Sequence, residues 1–169
     1  MSERPPYVNS EKFLKLEIKA ELENVTDLAP SGDDYEYNFK VVCNSCHEEH
    51  PKYVTLKRSE TRNISNSRGS AHLVWRCGNC KKESSASFVA EPSKPYSSES
   101  NGQFATLLKM ECRGLEFTDF APKGQWTCKG ETGTKFLDVD LEDDDWVEYD
   151  EKAKVDVRIS NIESQWTRA

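Results

Sequence analysis

Two cysteine pairs limit this chain more than any other feature. Cys43-Asn44-Ser45-Cys46 and Cys77-Gly78-Asn79-Cys80 are separated by thirty residues. Two residues between cysteines let both sulfurs of one tight turn face a single ion. Two such turns brought together make a closed tetrahedral four-sulfur site. The spacing between the pairs exceeds the 15–20 residues of a compact zinc ribbon. A fold that unites them must therefore carry the site on a larger framework.

The first pair admits other chemistry. With His47 it reads C-x-x-C-H, the attachment pattern of c-type haem, and a lone C-x-x-C is also a redox dithiol. Haem attachment needs an exported or organellar chain and an axial partner. The start, "MSERPPYVNSEKF", has no apolar run and is not read as a signal peptide. Beyond Met1 the only methionine is Met110, inside an expected strand. A redox dithiol calls for a helix N-terminus in a βαβ setting, which the sequence does not suggest. Structural zinc, one ion on Cys43, Cys46, Cys77 and Cys80, is the favoured reading. Its binding would contribute on the order of 10 kcal/mol to folding. His47 and His50 are read as loop residues beside a completed shell.

The surrounding pattern is β. Leu14, Leu16, Ile18, Ala20 and Leu22 alternate strictly with Lys15, Glu17, Lys19 and Glu21. That period of two puts every apolar side chain on one strand face, and outweighs the helix propensity of Lys and Glu. Tyr35–Val41 alternates in the same way. Further strands are expected at 53–57, 71–77, 84–90, 104–112, 136–141 and 155–162, separated by turn-rich segments. No long 3.6-residue period competes. The fold class is all-β, with two similar β-sandwich-like lobes and the zinc site on the N-terminal one.

The two-lobe expectation rests on an internal repeat. "TDLAPSG" at Thr26–Gly32 recurs as "TDFAPKG" at Thr118–Gly124, an offset of 92. The same offset matches Leu16 with Leu108, Ile18 with Met110 and Ala20 with Cys112. The expected organisation is a zinc-bearing lobe over residues 13–92, a linker over 93–102 inside "EPSKPYSSESNG", and a second lobe over 103–167. Position 43 maps to Lys135, so no second metal site is expected.

The net charge of −7 is unevenly spread. Lys52–Lys82 holds eight Lys/Arg against Glu60 alone, which would offset an anionic zinc–thiolate cluster. Asp138–Glu151 holds nine acids in fourteen residues, read as a solvated face or as a docking face for a basic partner. Within it, Asp145, Trp146, Tyr149 and Asp150 are candidates for a partner-facing patch, the competing reading being that Trp146 and Tyr149 pack on the second lobe. Arg68 in "SRGS" either binds an acidic group or merely sits in a turn. Cys112 is read as a buried apolar residue. Cys128, in a polar stretch, is expected to be more exposed and carries no role.

With three histidines and no nucleophile elbow, no catalytic constellation emerges, and the chain is read as a non-enzyme. Nucleic-acid binding through the basic stretch, with Tyr53 and Trp75, is the alternative; the acidic whole argues against it. No segment approaches the ~18 apolar residues of a membrane span. A reduced cytoplasmic setting is expected, because six cysteines without a secretory leader do not suggest a disulfide framework.

Taken together, "LENVTDLAP", "CNSC", "SRGSAHLVWRCGNC", "KPY", "ECRGLEFTDFAP" and "DWVEYDEKA" make the chain resemble the eukaryotic CXXC-motif-containing zinc-binding proteins. The resemblance implies one zinc ion on the four named cysteines, an all-β monomer of two similar halves, and no known enzymatic activity. It also implies a protein partner, with a metallochaperone among the candidates. His47 is outside the family pattern. Val41 stands where a copper-binding M-x-C-x-x-C motif would have methionine.

Overall fold

The computed structural model describes residues 11–65, 67–90 and 94–169. The stretch 1–10, read above for a leader, and Ser93 of the expected linker lie outside the described residues. Fourteen strands follow in order: β1 (Glu11–Glu23), β2 (Val25–Pro30), β3 (Tyr37–Cys43), β4 (Val54–Leu56), β5 (Arg62–Asn63), β6 (Ser70–Ala71), β7 (Leu73–Arg76), β8 (Glu83–Phe88), β9 (Ala105–Arg113), β10 (Leu115–Ala121), β11 (Gln125–Gly130), β12 (Lys135–Asp140), β13 (Asp145–Asp150) and β14 (Val155–Arg168). A single 3-10 turn at Ser98–Ser100 is the only helical element among the described residues. The all-β expectation holds.

The alternating run in β1 behaves as its period demands. Leu14, Leu16, Ile18, Ala20 and Leu22 are all buried. β1 lies at the centre of a six-stranded sheet, ordered β13-β14-β1-β9-β8-β7. Two three-stranded sheets, β10-β3-β4 and β12-β11-β2, complete the core, and β5-β6 form a small hairpin.

Each of the three larger sheets combines strands from before and after residues 93–102. The central pair is β1 with β9, antiparallel, with Leu16 directly opposite Leu108. The order of the six-stranded sheet is unchanged if β1, β8 and β7 exchange places with β9, β14 and β13. The same exchange turns β10-β3-β4 into β2-β11-β12. The strand order is thus symmetric about the β1–β9 pair, and the turns joining β3 to β4 and β7 to β8 correspond to those joining β11 to β12 and β13 to β14.

Four strands, β2, β10, β11 and β13, lie where sequence patterning suggested turns or a solvated acidic run. Two of them arise from one local device. β1 and β9 each pass directly into a new strand through one residue of positive φ, Asn24 (φ 61°) and Gly114 (φ 86°). A left-handed residue redirects the chain without a loop. Most of each repeated heptapeptide is therefore strand, and only its end turns, from Ser31 in the first copy and from Pro122 in the second.

An aromatic cluster fills the space between the sheets. Phe39 packs against Phe117, Phe120 and Trp166, with centroids 4.8–5.7 Å apart. Trp126 is buried, and its indole N–H donates to the Tyr35 hydroxyl at 3.1 Å. The Tyr35 hydroxyl donates in turn to the Lys123 carbonyl. Burial pushes the Tyr35 hydroxyl pKa well above its ordinary value. The segment following residue 93 is anchored too: Tyr96 is buried, and its hydroxyl lies within hydrogen-bonding distance of the carbonyls of Ser100 (2.6 Å) and Gln103 (2.7 Å). Cys128, expected to be exposed, is buried on the inner face of β11 two residues from Trp126. That correction follows from the unrecognised strand, because period two sends both side chains inward. Cys112 is buried as expected, and burial pushes its thiol up to about 12.

Candidate metal centre

β3 ends at Cys43, and the chain folds back at once. The His47 N–H donates to the Cys43 carbonyl (2.8 Å), and the Cys43 N–H donates to the Glu48 carbonyl (3.0 Å). The second turn repeats this. Lys81 N–H donates to the Cys77 carbonyl (3.0 Å), and Cys77 N–H to the Lys82 carbonyl (2.9 Å). The residue after the second cysteine of each pair has positive φ, His47 at 62° and Lys81 at 67°. A left-handed residue there reverses the chain immediately behind the second sulfur. That is the place of His47: it shapes the turn and is not among the four clustered donors.

The four sulfurs all lie within 4.8 Å of one another. Cys43 Sγ is 3.6 Å from Cys80 Sγ, and Cys46 Sγ is 3.6 Å from Cys77 Sγ. These distances are far beyond the ~2.05 Å of a disulfide. Four sulfurs placed about 2.3 Å from one tetrahedral ion would be about 3.8 Å apart, so the donor set fits zinc. Cys43 and Cys77 are buried, whereas Cys46 and Cys80 are half-buried, giving a site sealed on its inner side.

The thiols do not ionise independently. A hydrogen bond from Asn79 and the Glu48 backbone N–H lower Cys46 to about 6. Cys80, despite the Lys82 backbone N–H that favours its thiolate, is pushed up to about 11 by burial and by the neighbouring sulfurs. A crowded set of sulfurs of this kind carries its full negative charge only with a cation at its centre.

Second-half residues brace the site. The Asn44 N–H donates to the Gly114 carbonyl at 3.0 Å, and Leu115 pairs in register with Cys43. A Cβ on Gly114 would come 2.6 Å from Ser84 Oγ. Gly114 and Asn79 were not singled out from the sequence; the signal was the positive-φ requirement between two apolar runs in "ECRGLEF". Part of the basic stretch is bound into the turns. The Lys81 ammonium donates to the Gly78 carbonyl (2.7 Å), and Arg76 donates to the Lys81 carbonyl (2.8 Å). His50 stacks edge-on against Trp75, with centroids 5.6 Å apart. Arg68 is exposed in a bend, where the Ser67 hydroxyl accepts from the Gly69 N–H.

The acidic patch divides. Asp145 pairs with Arg158 through two hydrogen bonds of 2.9 and 3.1 Å. Trp146 packs edge-on against Phe136 at 5.4 Å, as the packing alternative held, but Tyr149 is 50% exposed. Asp150 is fully buried, which corrects its assignment to a partner-facing surface. Its Oδ1 accepts from the Thr134 hydroxyl (2.7 Å) and from the Lys152 and Ala153 N–H groups (3.1 Å each). These bonds, Thr134's first, hold its carboxyl below the usual range against the opposing effect of burial. The reason is positional: Asp150 begins the β13–β14 turn, and such an aspartate caps its own turn.

Comparison with known proteins places the geometry in context. The family model described as "CXXC motif containing zinc binding protein, eukaryotic" matches residues 15–167. The CXXC motif containing zinc binding protein of Homo sapiens is 37% identical, covering 92% of this chain and 98% of its own. The UPF0587 protein C2D10.03c of Schizosaccharomyces pombe is 41% identical, covering 91% and 97%. Among solved structures, C1orf123 superposes with a TM-score of 0.88 at 37% identity, over 93% of this chain and 99% of the other. A hypothetical protein from Plasmodium falciparum gives 0.83 at 29% identity, over 92% and 99%.

Proposed function

Since the chain belongs to the eukaryotic CXXC-motif-containing zinc-binding protein family, we propose that Cys43, Cys46, Cys77 and Cys80 hold one structural zinc ion per chain. The protein is then a non-enzymatic, cytoplasmic, monomeric interaction module. The observation that carries this reading is the set of four sulfurs in tetrahedral range around one point. Four thiolates complete the shell of a zinc ion and leave no position for a substrate or a reactive water. The ion would join the β3–β4 turn to the β7–β8 turn, and its binding would be folding free energy.

With the metal position closed, function falls to the surface, and a protein partner is the reading that follows. Against a nucleic-acid interface stands the engagement of Arg76 and Lys81 inside the second cysteine turn. Elemental analysis combined with thiol titration tests the site. About one zinc per chain is expected, with these four cysteines protected until a chelator is added. Absence of metal, a haem absorbance band, or reversible disulfide cycling would overturn it. Salt-sensitive retention on heparin would turn the partner reading toward nucleic acid.

A further inference from the structure

The two ends of the six-stranded sheet are finished differently. At one end the connection from β4 to β7 runs through sixteen residues and includes β5 and β6, which pack against β7 and β8. At the other end the corresponding connection, from β12 to β13, is only Leu141–Asp144. Among the described residues, no hairpin comparable to β5–β6 lies along β13.

An uncovered edge strand presents unpaired backbone N–H and C=O groups and is ordinarily blunted by lysine, proline or a bulge. β13, Asp-Trp-Val-Glu-Tyr-Asp, has neither lysine nor proline. Its register with β14 runs unbroken from Asp145 to Asp150. Val147 (57% exposed) and Tyr149 (50%) stand two residues apart and share one strand face. Four of the six exposed large apolar side chains among the described residues, Leu137, Val147, Tyr149 and Val155, fall between β12 and the start of β14. What β12, β13 and their connection carry is acid: nine Asp/Glu and no Lys/Arg between Asp138 and Glu151, of which Asp150 is buried and Asp145 is paired with Arg158.

We propose that the open edge of β13 accepts an extended segment of a partner protein, bearing Lys or Arg alternating with apolar residues, as an added strand. The proposal rests on the interaction-module reading and names the partner's chemistry. A second copy of this chain is a poor occupant, because β13 against β13 sets acid against acid, and like charges across a strand pair are destabilising. A cationic strand meets no such repulsion. The backbone ladder supplies affinity, Val147 and Tyr149 supply apolar contacts, and the acids select the sign of the partner's charge.

The test uses the zinc-loaded full chain and capped nine-residue peptides alternating Lys with Val or Thr. A Glu-for-Lys peptide is the charge control. Two further Lys peptides are N-methylated on alternate residues, one in each phase. Strand addition uses one edge of the peptide. Methylation in one phase is therefore expected to weaken binding about tenfold or more, while the other phase leaves it nearly unchanged. The Glu peptide should not bind, and backbone amide shifts should map to β13 and β14. Val147→Lys with Tyr149→Lys should weaken the Lys peptide without moving the thermal midpoint. Equal binding of both methylated peptides would reduce the effect to diffuse electrostatics and overturn the proposal, as would no binding of the Lys peptide. Binding with shifts at the β3–β4 and β7–β8 turns would move the interface to the metal end, removing β13 while leaving the interaction-module reading intact. Failure of that broader reading would show separately, in the zinc analysis and on heparin.

Discussion

The turns at the two ends of this molecule solve one structural problem with different chemistry. At the first, Cys43 and Cys77 each begin a tight turn whose carbonyl accepts from the residue four positions on, His47 or Lys81. At the second, Asp150 begins such a turn, and its carbonyl accepts from the Lys154 N–H at 2.7 Å. Lys154 has φ 58°, matching His47 and Lys81. Asp150 thus stands where the first cysteine of a pair stands, and Ala153 where the second does. Opposite, Gly130 N–H donates to the Thr134 carbonyl at 2.7 Å, as Cys43 N–H donates to Glu48. The metal end joins two turns through four sulfurs. The acidic end joins them through the Asp150 carboxylate and the Thr134 hydroxyl. A turn backbone of this shape therefore does not demand a metal; it demands that something fill the space between paired turns and satisfy their N–H groups.

The comparison breaks most clearly at the metal end. Chelation, or Cys77→Ser, should remove stabilisation on the order of 10 kcal/mol there. Hydrogen exchange should show β3, β4, β7 and β8 losing protection before β11, β12, β13 and β14. Simultaneous loss at both ends would show that the ion stabilises the whole core and not one pair of turns.

The next effect belongs to the acidic end. A Cβ on Gly130 would lie 2.2 Å from the buried Asp150 Oδ2, so Gly130→Ala should cost about 1–3 kcal/mol by overpacking. Gly78→Ala, in the second cysteine turn, meets nothing within 4 Å and should be nearly silent. Chemical denaturation of the zinc-loaded protein measures both, and similar costs would undo this contrast between the two turns.

A smaller effect separates the ends by pH. The carboxyl of Asp150 is held below its unfolded value, chiefly by the Thr134 hydroxyl. Its contribution is therefore full above the unfolded carboxylate pKa of about 4 and is lost as pH falls through the lower folded value. Asp150→Asn should lower stability near neutrality and flatten the acid limb of the stability–pH profile. An unchanged acid limb would mean that the carboxylate's charge contributes nothing.

Smallest of all is Tyr149→Ala. Half exposed on an open strand, it should shift stability by no more than about 0.5 kcal/mol. A larger loss in a thermal melt would place Tyr149 in the packing of the acidic end, as Trp146 is.

Much of this was legible before the fold was known. β1 and β9 could be read from period two, because each buries one alternating face against the core, although Leu107 on the other face of β9 is buried as well. The four cysteines could be read because the x-x spacing lets one turn present two sulfurs to one ion. β2 and β10 were hidden by Asn24 and Gly114, single left-handed residues that look like turn signals yet continue the chain into another strand. β13 was hidden by its acids, and Asp150 was misplaced among surface carboxylates for the same reason. A buried aspartate is marked by its partners, Thr134, Lys152 and Ala153, and the most important of these, Thr134, is sixteen residues away.

By itself, then, the sequence determined the strand class, the donor chemistry and the charge asymmetry, since these follow from local periodicity, residue type and composition. Only the tertiary structure decided that strands from both halves share every large sheet, that a carboxylate joins the two turns at the end opposite the four cysteines, and that β13 is the end strand of its sheet. Those outcomes depend on which strands pair across long stretches of chain, and no local spacing encodes that.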